Sequence, residues 1–232
     1  MLFEPLLGTS LSGKVGGLVA SHNAGGAYFR AASIPTNPNT PFQQAVRTAV
    51  AGLTAAWQST LTQEQRDAWE EYASNVTITN RIGKQVNISG LAMFVRSNVG
   101  RLQNLLPSIL IAPVIFNLGQ FLRGTAFNAI QSAQTVDVVF GQTIPTDPWI
   151  SEAGSYMFVY ISRQQNSGIK FFKGPYRLAG ALQGDPTPPT SPFTVSVPFA
   201  INEGDRLFMR TVVAYADGRF TAPEFSNVLI AA

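Results

Sequence analysis

Apolar side chains follow a helical spacing in three segments of the first half of the chain. At the first segment, Thr40 and Pro41 suit the N-cap and first position of a helix, and Gln43 completes a capping box. The apolar positions that follow lie mostly three or four residues apart, which predicts one buried stripe. The stripe consists of Phe42, Val46, Ala49, Val50, Leu53 and Trp57.

The next two helices have equally clear starts. Thr62 and Gln65 form a second capping box, and a third helix is predicted to begin after Ser89 and to end at Pro107. Between these two helices, apolar and polar side chains alternate weakly over residues 77–88, which predicts a small β-hairpin. The second helix is predicted to bury Trp69, Tyr72 and Ala73, and the third Leu91, Phe94, Val95, Asn98, Leu102 and Leu105.

The second half of the chain alternates apolar and polar residues over short segments that turn residues separate. In Phe193–Phe199 the odd positions are all apolar, and Asp217-Gly218 is a strong signal for a tight hairpin. Seven short strands with frequent turns favour an immunoglobulin-like sandwich. The predicted strands are 125–130, 135–140, 155–162, 169–173, 193–199, 206–215 and 219–229, the last interrupted at Pro223.

The N-terminal segment shows neither the helical spacing nor the apolar–polar alternation over more than a few residues. Residues 1–39 contain six glycines, which discourage helix, and Pro35, Pro38 and Pro41 hold the chain extended. Only 15–20 and 27–29 could form short strands. Residues 1–39 are therefore predicted to form an extended arm, which lies either on its own domain or on another subunit.

These patterns together predict an α+β protein in three parts. Residues 1–39 form the glycine- and proline-rich arm, and residues 40–112 form a small helical domain with a hairpin. Residues 113–232 form an all-β sandwich of the immunoglobulin or fibronectin type III kind.

Composition adds two constraints. Charged residues make up 12% of the chain, with a net charge of +3, against about 25% in soluble domains. Because obligate interfaces resemble a core cut in half, this sparse charge favours a chain whose surface is partly covered by other subunits. The chain has no cysteine and one histidine, His22, which excludes thiolate chemistry and a histidine-rich metal site.

Targeting and membrane signals are not expected. The first residues lack the basic cluster of a secretory signal, and prolines and polar residues interrupt the apolar stretch 105–122. The sequence therefore predicts a soluble protein of a reducing compartment, or an assembly component built there.

Candidate chemistry is sparse. Gly13–Gly17 contains a lysine but lacks the spacing of a phosphate-binding loop, and His22 has no carboxylate near it in sequence. The second helix carries Glu64, Asp67, Glu70 and Glu71, which are better explained as a solvated face than as catalytic or metal-binding carboxylates. Arg66 and Glu70 are spaced for an ion pair on that helix.

The last predicted hairpin, Arg206–Pro223, resembles the final two strands of fibronectin type III domains. Both run alternating apolar residues into an alanine and then a glycine turn followed by threonine and proline. Arg210 stands where that family commonly has an apolar residue.

The first half resembles a second family, whose members occur in tailed-phage genomes and related bacterial elements and are usually considered structural. The resemblance covers about residues 8–100. It is carried, in this order, by Ser12–Gly16, Gly26–Arg30, Pro35–Arg47, Trp57, Leu61-Thr62 and Arg66–Trp69. A fibronectin-like module often follows in such proteins.

This second resemblance implies a non-enzymatic bacteriophage structural protein located in the virion and assembled in the host cytoplasm. A capsid-associated decoration or minor capsid component is favoured, and a tail or baseplate component or a carbohydrate-binding adhesion module using the aromatic sandwich is the alternative. Expected partners are other virion proteins and further copies of the chain. No cofactor, metal or membrane is expected, and nucleic acid is disfavoured because the arginines are spread singly.

Contact residues are expected among arginines and aromatics, which are enriched at protein interfaces. In the sandwich, exposed aromatics could anchor a partner, although burial in the core is the better explanation for them. The candidate interface residues are Lys14, Tyr28, Arg30, Arg47, Trp149 and Tyr176.

Overall fold

A computed structural model describes residues 2–3, 12–23, 26–34, 36–80, 83–119, 121, 126–141 and 148–232. It has three α-helices and four antiparallel sheets, which confirms the predicted α+β class. The chain divides into two compact units, Met1–Pro41 and Phe42–Ala232.

The N-terminal unit is a small antiparallel sheet. Its strands are β1 (Leu2–Phe3), β2 (Gly13–Val15), β3 (Leu18–Asn23) and β4 (Gly26–Ala31), in the order β1-β4-β3-β2. The sequence predicts an extended arm here in which 15–20 and 27–29 could form short strands, and the structure pairs these apolar pieces in a sheet. Gly16 makes this possible, because its φ of 56° closes the two-residue turn between β2 and β3.

The second unit begins with the helices, which start where the sequence predicts. They are α1 (Pro41–Ser59), α2 (Gln63–Asn75) and α3 (Gly90–Gln103), and β5 (Ile78–Thr79) and β6 (Gln85–Val86) form the predicted hairpin. At α2 the Gln65 amide donates to Thr62 Oγ1, and the Gln65 side chain accepts from the Thr62 amide at 3.0 Å. Ser89 caps α3 through the Ala92 amide.

Two of the predicted helix stripes are partly wrong. Along α1 only Leu53 is buried, and the ring of Phe42 lies under the Arg177 guanidinium at 4.3 Å instead of in a core. On α3 the stripe ends early. Because the helix stops at Gln103 and Leu105 adopts a φ of 58°, the Leu105 side chain leaves the helical face and is 95% exposed.

The helical core is built around Trp69. Its ring meets Tyr72 and Phe94 edge to face, with centroids 6.0 and 5.6 Å apart, an arrangement worth up to about 1.5 kcal/mol a pair beyond burial. The predicted α2 face of Trp69, Tyr72 and Ala73 is fully buried, as expected. The remaining members of this core are Leu53, Leu61, Val76, Met93, Phe94 and Ala112.

An irregular segment, residues 105–119, wraps this core and is held by side chains of the helices. Trp69 Nε1 donates to the Leu110 carbonyl at 3.0 Å, and the Tyr72 hydroxyl donates to the Asn117 carbonyl at 2.6 Å. Asn98, buried in α3, accepts from the Ile109 amide at 2.6 Å and donates back to its carbonyl. These bonds provide partners for backbone groups that no helix or strand pairs.

Two sheets make up the rest of the unit. The strands are β7 (Ala126–Ile130), β8 (Thr135–Val139), β9 (Tyr156–Ser162), β10 (Tyr176–Gln183), β11 (Phe193–Ser196), β12 (Arg206–Ala214) and β13 (Glu224–Leu229). One sheet has the order β11-β8-β7, and the other has the order β10-β9-β12-β13.

One predicted strand is wrong and one was missed. Residues 169–173 form a loop, and the strand that pairs with β9 is the later β10. Its sequence lacks strict alternation, and Gly180 marks a register shift in the pairing with β9. Strand β13 begins only after Pro223, as the interruption in the sequence suggested.

The two sheets share one core. The inward positions of β7 and β8 include Phe127, Val136 and Val138, and these pack with Met157, Ile161 and Leu207 of the four-stranded sheet. This arrangement leaves the other face of the four-stranded sheet to be covered by something else.

Helix α3 covers part of that outer face. Gly100 lies against it so closely that a Cβ there would stand 3.3 Å from both the Phe158 ring and the Tyr160 hydroxyl. Arg96 donates to the carbonyls of Phe220 and Thr221 at 2.6 and 3.0 Å. Helices and sheets therefore form one body, although the sequence predicts a boundary near residue 112.

Burial of Tyr72 has a measurable consequence at alkaline pH. Desolvation raises the pKa of Tyr72 to about 12, so the folded chain holds this proton more tightly than the unfolded chain, in which the pKa is about 10. Its contribution to stability is complete below about pH 10 and is lost as pH rises to about 12. Denaturant titrations should show that the free energy of unfolding falls between about pH 10 and pH 12 in the wild-type chain. In Tyr72→Phe this fall should be smaller by about 2 kcal/mol. An unchanged slope would contradict this assignment.

Candidate binding surfaces

The N-terminal sheet brings three of the predicted interface residues onto one face. In the register, Lys14 pairs with Val19 and Val19 pairs with Arg30, so these side chains share a row. Tyr28 lies two residues before Arg30 and therefore on the same face. Lys14 and Arg30 are exposed and Tyr28 is half-buried, so this face combines two cations with an aromatic ring.

The opposite face of the same sheet is apolar. Val15 pairs with Leu18, and Leu18 pairs with Ala31. Val15 is 81% exposed and Leu18 51% exposed, and among the described residues of this unit only Ala20 is buried. A sheet with so little buried surface gains little stability from its own packing.

The other predicted contact residues lie in the second unit and are not equivalent. Arg47 is on the exposed side of α1. Trp149 is fully buried, in a short 3₁₀ helix over Pro148–Ser151, with Phe121 and Phe140 at 6.4 and 5.9 Å. Trp149 is thus a core residue, and its prediction as an interface residue is wrong because this helix packs into the core between the sheets.

Tyr176, the last predicted contact residue, is half-buried on the outer face of the four-stranded sheet. Its hydroxyl donates to the Phe172 carbonyl at 3.0 Å, and the two rings meet edge to face. Burial raises the pKa of Tyr176, and the charge of Arg210 partly opposes that shift. The ring is therefore fixed by its neighbours, and its centre lies 6.0 Å from that of the Phe225 ring, which lines a groove.

This groove, which we call the basic groove, has a volume of about 860 Å³. It lies between the 170–173 loop, strands β12 and β13, and Thr79 and Asn80 of the hairpin. Three cations line it, together with two of the most exposed rings of the sandwich. They are Lys170, Lys173, Arg210, Phe171 (78% exposed) and Phe225 (60% exposed).

Arg210 is the central cation of the basic groove. Its guanidinium lies 4.4 Å from the centre of the Tyr160 ring. It also lies 5.9 Å from the centre of the Tyr176 ring, close to the outer limit of a cation–π interaction. Arg210 Nε is shielded from solvent and has no hydrogen-bond partner among the described residues. A half-buried cation without an acidic neighbour in the groove lining favours anionic ligands.

A second exposed feature is apolar. Five apolar side chains of the irregular segment 105–119 lie outside the hydrophobic cores of the described structure and face outward. Their exposed fractions are 95% for Leu105, 70% for Ile111, 86% for Val114, 46% for Ile115 and 49% for Phe116. Phe116 also lines a smaller cleft of about 540 Å³, which shares Thr79 and Pro223 with the basic groove. The sequence signal for this apolar strip was the stretch 105–122, which is rich in leucine and isoleucine but is interrupted by prolines and polar residues.

The four carboxylates of α2 are exposed, and one of them, Glu70, has a structural partner outside its own helix. Glu70 accepts from the Gly90 amide at 2.7 Å and so binds the N-terminus of α3, where the helix dipole favours an anion. The predicted pair with Arg66 does not form, because Arg66 donates to the carbonyls of Trp57 and Leu61. In the described residues no group of three or more acidic or histidine side chains could hold a metal ion.

The glycine-rich segment forms a strand and a turn. Gly13–Val15 is β2, and Gly16 and Gly17 make the turn after it. His22 is in β3, and its side chain lies outside the described part of the structure.

Comparison with known proteins gives no relative: no family model, curated protein or solved structure matches the chain. No helix over the described ranges combines the length and apolar character needed to cross a bilayer.

Proposed function

We propose that this protein is a non-enzymatic structural protein of a tailed-phage virion, attached to the capsid as a decoration or minor capsid component through its N-terminal unit and helices. The order of motifs over residues 8–100 supports a phage structural family. The low charge of 12% supports a chain whose surface is partly covered in an assembly.

The observation that carries the proposal is the exposed apolar face of the N-terminal sheet. Units of about 40 residues seldom bury enough surface to be stable without a metal, disulfides or oligomerisation. This unit has no cysteine, and its described residues bury only Ala20. A surface of a neighbouring subunit would provide the missing apolar contact for Val15 and Leu18.

The sheet topology supports the second half of the proposal, a fibronectin type III-like module that projects or bridges. Counting from β7, the first, second and fifth strands form one sheet, and the third, fourth, sixth and seventh form the other. That division is the one expected of fibronectin type III domains, although Arg210 departs from the family's usual apolar residue.

The test is association through the N-terminal sheet. The full chain and its Val15→Ser/Leu18→Ser variant would be compared by light scattering on a size-exclusion column, alone and mixed with the virion proteins encoded beside its gene. We expect the variant to lose association, since two exposed apolar side chains of one face are replaced. The matched control is Val139→Ser, which replaces a valine exposed to 41% on β8.

A wild-type chain that stays monomeric at high concentration and binds no virion protein would refute the proposed function. If the chain does associate with virion proteins, immunogold labelling of assembled particles separates the two virion locations, because the proposal requires label on the shell and the alternative requires label on the tail or baseplate.

A further inference from the structure

The basic groove carries positive charge that no acidic side chain of the described structure neutralises. Lys170 and Lys173 are exposed on the loop that borders the groove, Arg210 is half-buried on β12, and no aspartate or glutamate of the described residues lines the groove. Over those residues the one ion pair joins Arg219 to Asp217, neither of which is in the lining. An anion that enters the groove would therefore not have to displace an acidic side chain.

Arg210 is held in place among aromatic neighbours. In the register it pairs with Tyr160 of β9 on one side and with Phe225 of β13 on the other, so the three side chains share the outer face of the sheet. The guanidinium lies 4.4 Å from the centre of the Tyr160 ring. The nearest carboxylate in sequence to Phe225 is that of Glu224, and alternation along β13 places it on the opposite face.

Flat apolar surface adjoins these cations. Phe171 and Phe225 are the most exposed phenylalanines among the described residues. Each stands beside a ring that is held by its neighbours: Phe172 stacks on Phe208 with centroids 5.6 Å apart, and Phe225 lies 6.0 Å from Tyr176. Exposed rings in a cationic groove are typical of residues that a ligand covers. The ligand is expected to carry flat apolar groups as well as negative charge.

The 170–173 loop interleaves the two kinds of side chain. Phe172 packs inward on Phe208, which leaves Phe171 exposed between the exposed cations Lys170 and Lys173. Single-stranded nucleic acid matches this order, because every nucleotide combines a phosphate with a flat base that can stack on a ring. An acidic polysaccharide carries the charges without an aromatic face, and the bases of a double helix are already stacked on one another.

We propose that the basic groove binds single-stranded nucleic acid, with phosphates at Lys170, Lys173 and Arg210 and with bases stacked on Phe171 and Phe225. The groove volume of about 860 Å³ falls within the range of about 300–1,000 Å³ that is usual for ligand clefts. The sequence disfavours nucleic acid because its arginines are spread singly, whereas the fold brings one of them together with two lysines. The inference goes beyond the proposed function and does not rest on it.

The experiment titrates the full chain into a fluorescein-labelled oligothymidylate of about ten nucleotides, within the usual site sizes for single strands, and follows fluorescence anisotropy. We expect binding that weakens as the salt concentration rises, because phosphate contacts release counterions. An oligomer of the same length that lacks the bases keeps every phosphate but cannot stack on the rings. It should bind at least about fivefold more weakly.

Two double variants test the cations. Lys170→Gln/Lys173→Gln should weaken binding and should lower the slope of log affinity against log salt by about 1.4, because each phosphate contact contributes about 0.7. The matched control, Arg47→Gln/Arg163→Gln, removes the same charge from two exposed positions outside the groove lining. It should leave both the affinity and the slope unchanged.

A further pair of variants tests stacking. Phe171→Ala should weaken binding at least about fivefold, and because the ring is exposed the fold should be kept. Phe42→Ala removes an exposed ring of α1, outside the groove lining, and should leave the affinity unchanged. Circular dichroism of each variant separates a lost contact from a lost fold.

The proposal is overturned if the oligothymidylate fails to bind or if the oligomer without bases binds as tightly. It is also overturned if a sulfated oligosaccharide or an acidic peptide binds more tightly than the oligothymidylate and loses affinity in Lys170→Gln/Lys173→Gln. Association through Val15 and Leu18 is read separately by light scattering. Either surface can therefore fail its test while the other stands.

Discussion

Replacing Trp149 by alanine is expected to lower the free energy of unfolding by about 3–5 kcal/mol. The indole is fully buried between Phe121 and Phe140, so truncation leaves a large cavity in the core shared by the two sheets. Urea titration followed by circular dichroism measures the change. A contact residue on the surface would behave in the opposite way, with stability kept and association lost.

The matched control is Phe171→Ala. This ring is 78% exposed, so its removal should change the free energy of unfolding by less than about 0.5 kcal/mol. Equal stability losses in the two variants would contradict the burial that distinguishes them.

Gly184→Ala is expected to lower the free energy of unfolding by about 3 kcal/mol. A Cβ at this position would overlap the Trp149 carbonyl oxygen and approach the Glu152 carbonyl oxygen to 2.8 Å. Both obstacles are backbone atoms, so no side-chain rotation relieves the overlap. The Gly184 amide also donates to the Ser155 carbonyl at 2.9 Å, which fixes the strand end in place.

Gly52→Ala in α1 provides the comparison for this substitution. Among the described residues nothing lies within 4 Å of a Cβ at Gly52, and alanine is favoured over glycine in a helix interior by up to about 1 kcal/mol. Thermal unfolding followed by circular dichroism should show a raised midpoint for Gly52→Ala and a lowered one for Gly184→Ala. Two shifts of the same sign would be inconsistent with the packing at residue 184.

Local chemistry determined what the sequence could predict. The starts of α2 and α3 depend on side chains within three residues, Thr62 with Gln65 and Ser89 with the Ala92 amide, and both were predictable. The missed strand β10 depends on pairing with β9, while its own sequence contains Gly180 and no clear alternation. Its position is therefore set by tertiary contacts.

The candidate sites divide in the same way. Lys14, Tyr28 and Arg30 share a face because neighbouring strands pair them. The sequence indicated two short strands here, 15–20 and 27–29, but not the pairing that brings these side chains together. The basic groove gathers residues from the 170–173 loop, β12, β13 and the hairpin, which are far apart in sequence. Lys170 and Lys173 flanking two phenylalanines were its one local signal.

The position of Trp149 was open for a physical reason. A tryptophan beside a proline, in a segment without periodicity, is compatible both with an exposed contact residue and with a buried core residue. Only the packing of the two sheets decides between them, because it leaves a space between Phe121 and Phe140 that an indole fills.

The covering of the four-stranded sheet by α3 has a consequence for synthesis on the ribosome. The helices emerge well before β12 and β13, so the Arg96 guanidinium leaves the exit tunnel without the Phe220 and Thr221 carbonyls that later receive it. The nascent helical half must therefore wait in an incomplete state that chaperones can bind. Fragments that end or begin near residue 112 should accumulate as insoluble material. Each half would be made without the other half, which covers its apolar surface in the full chain.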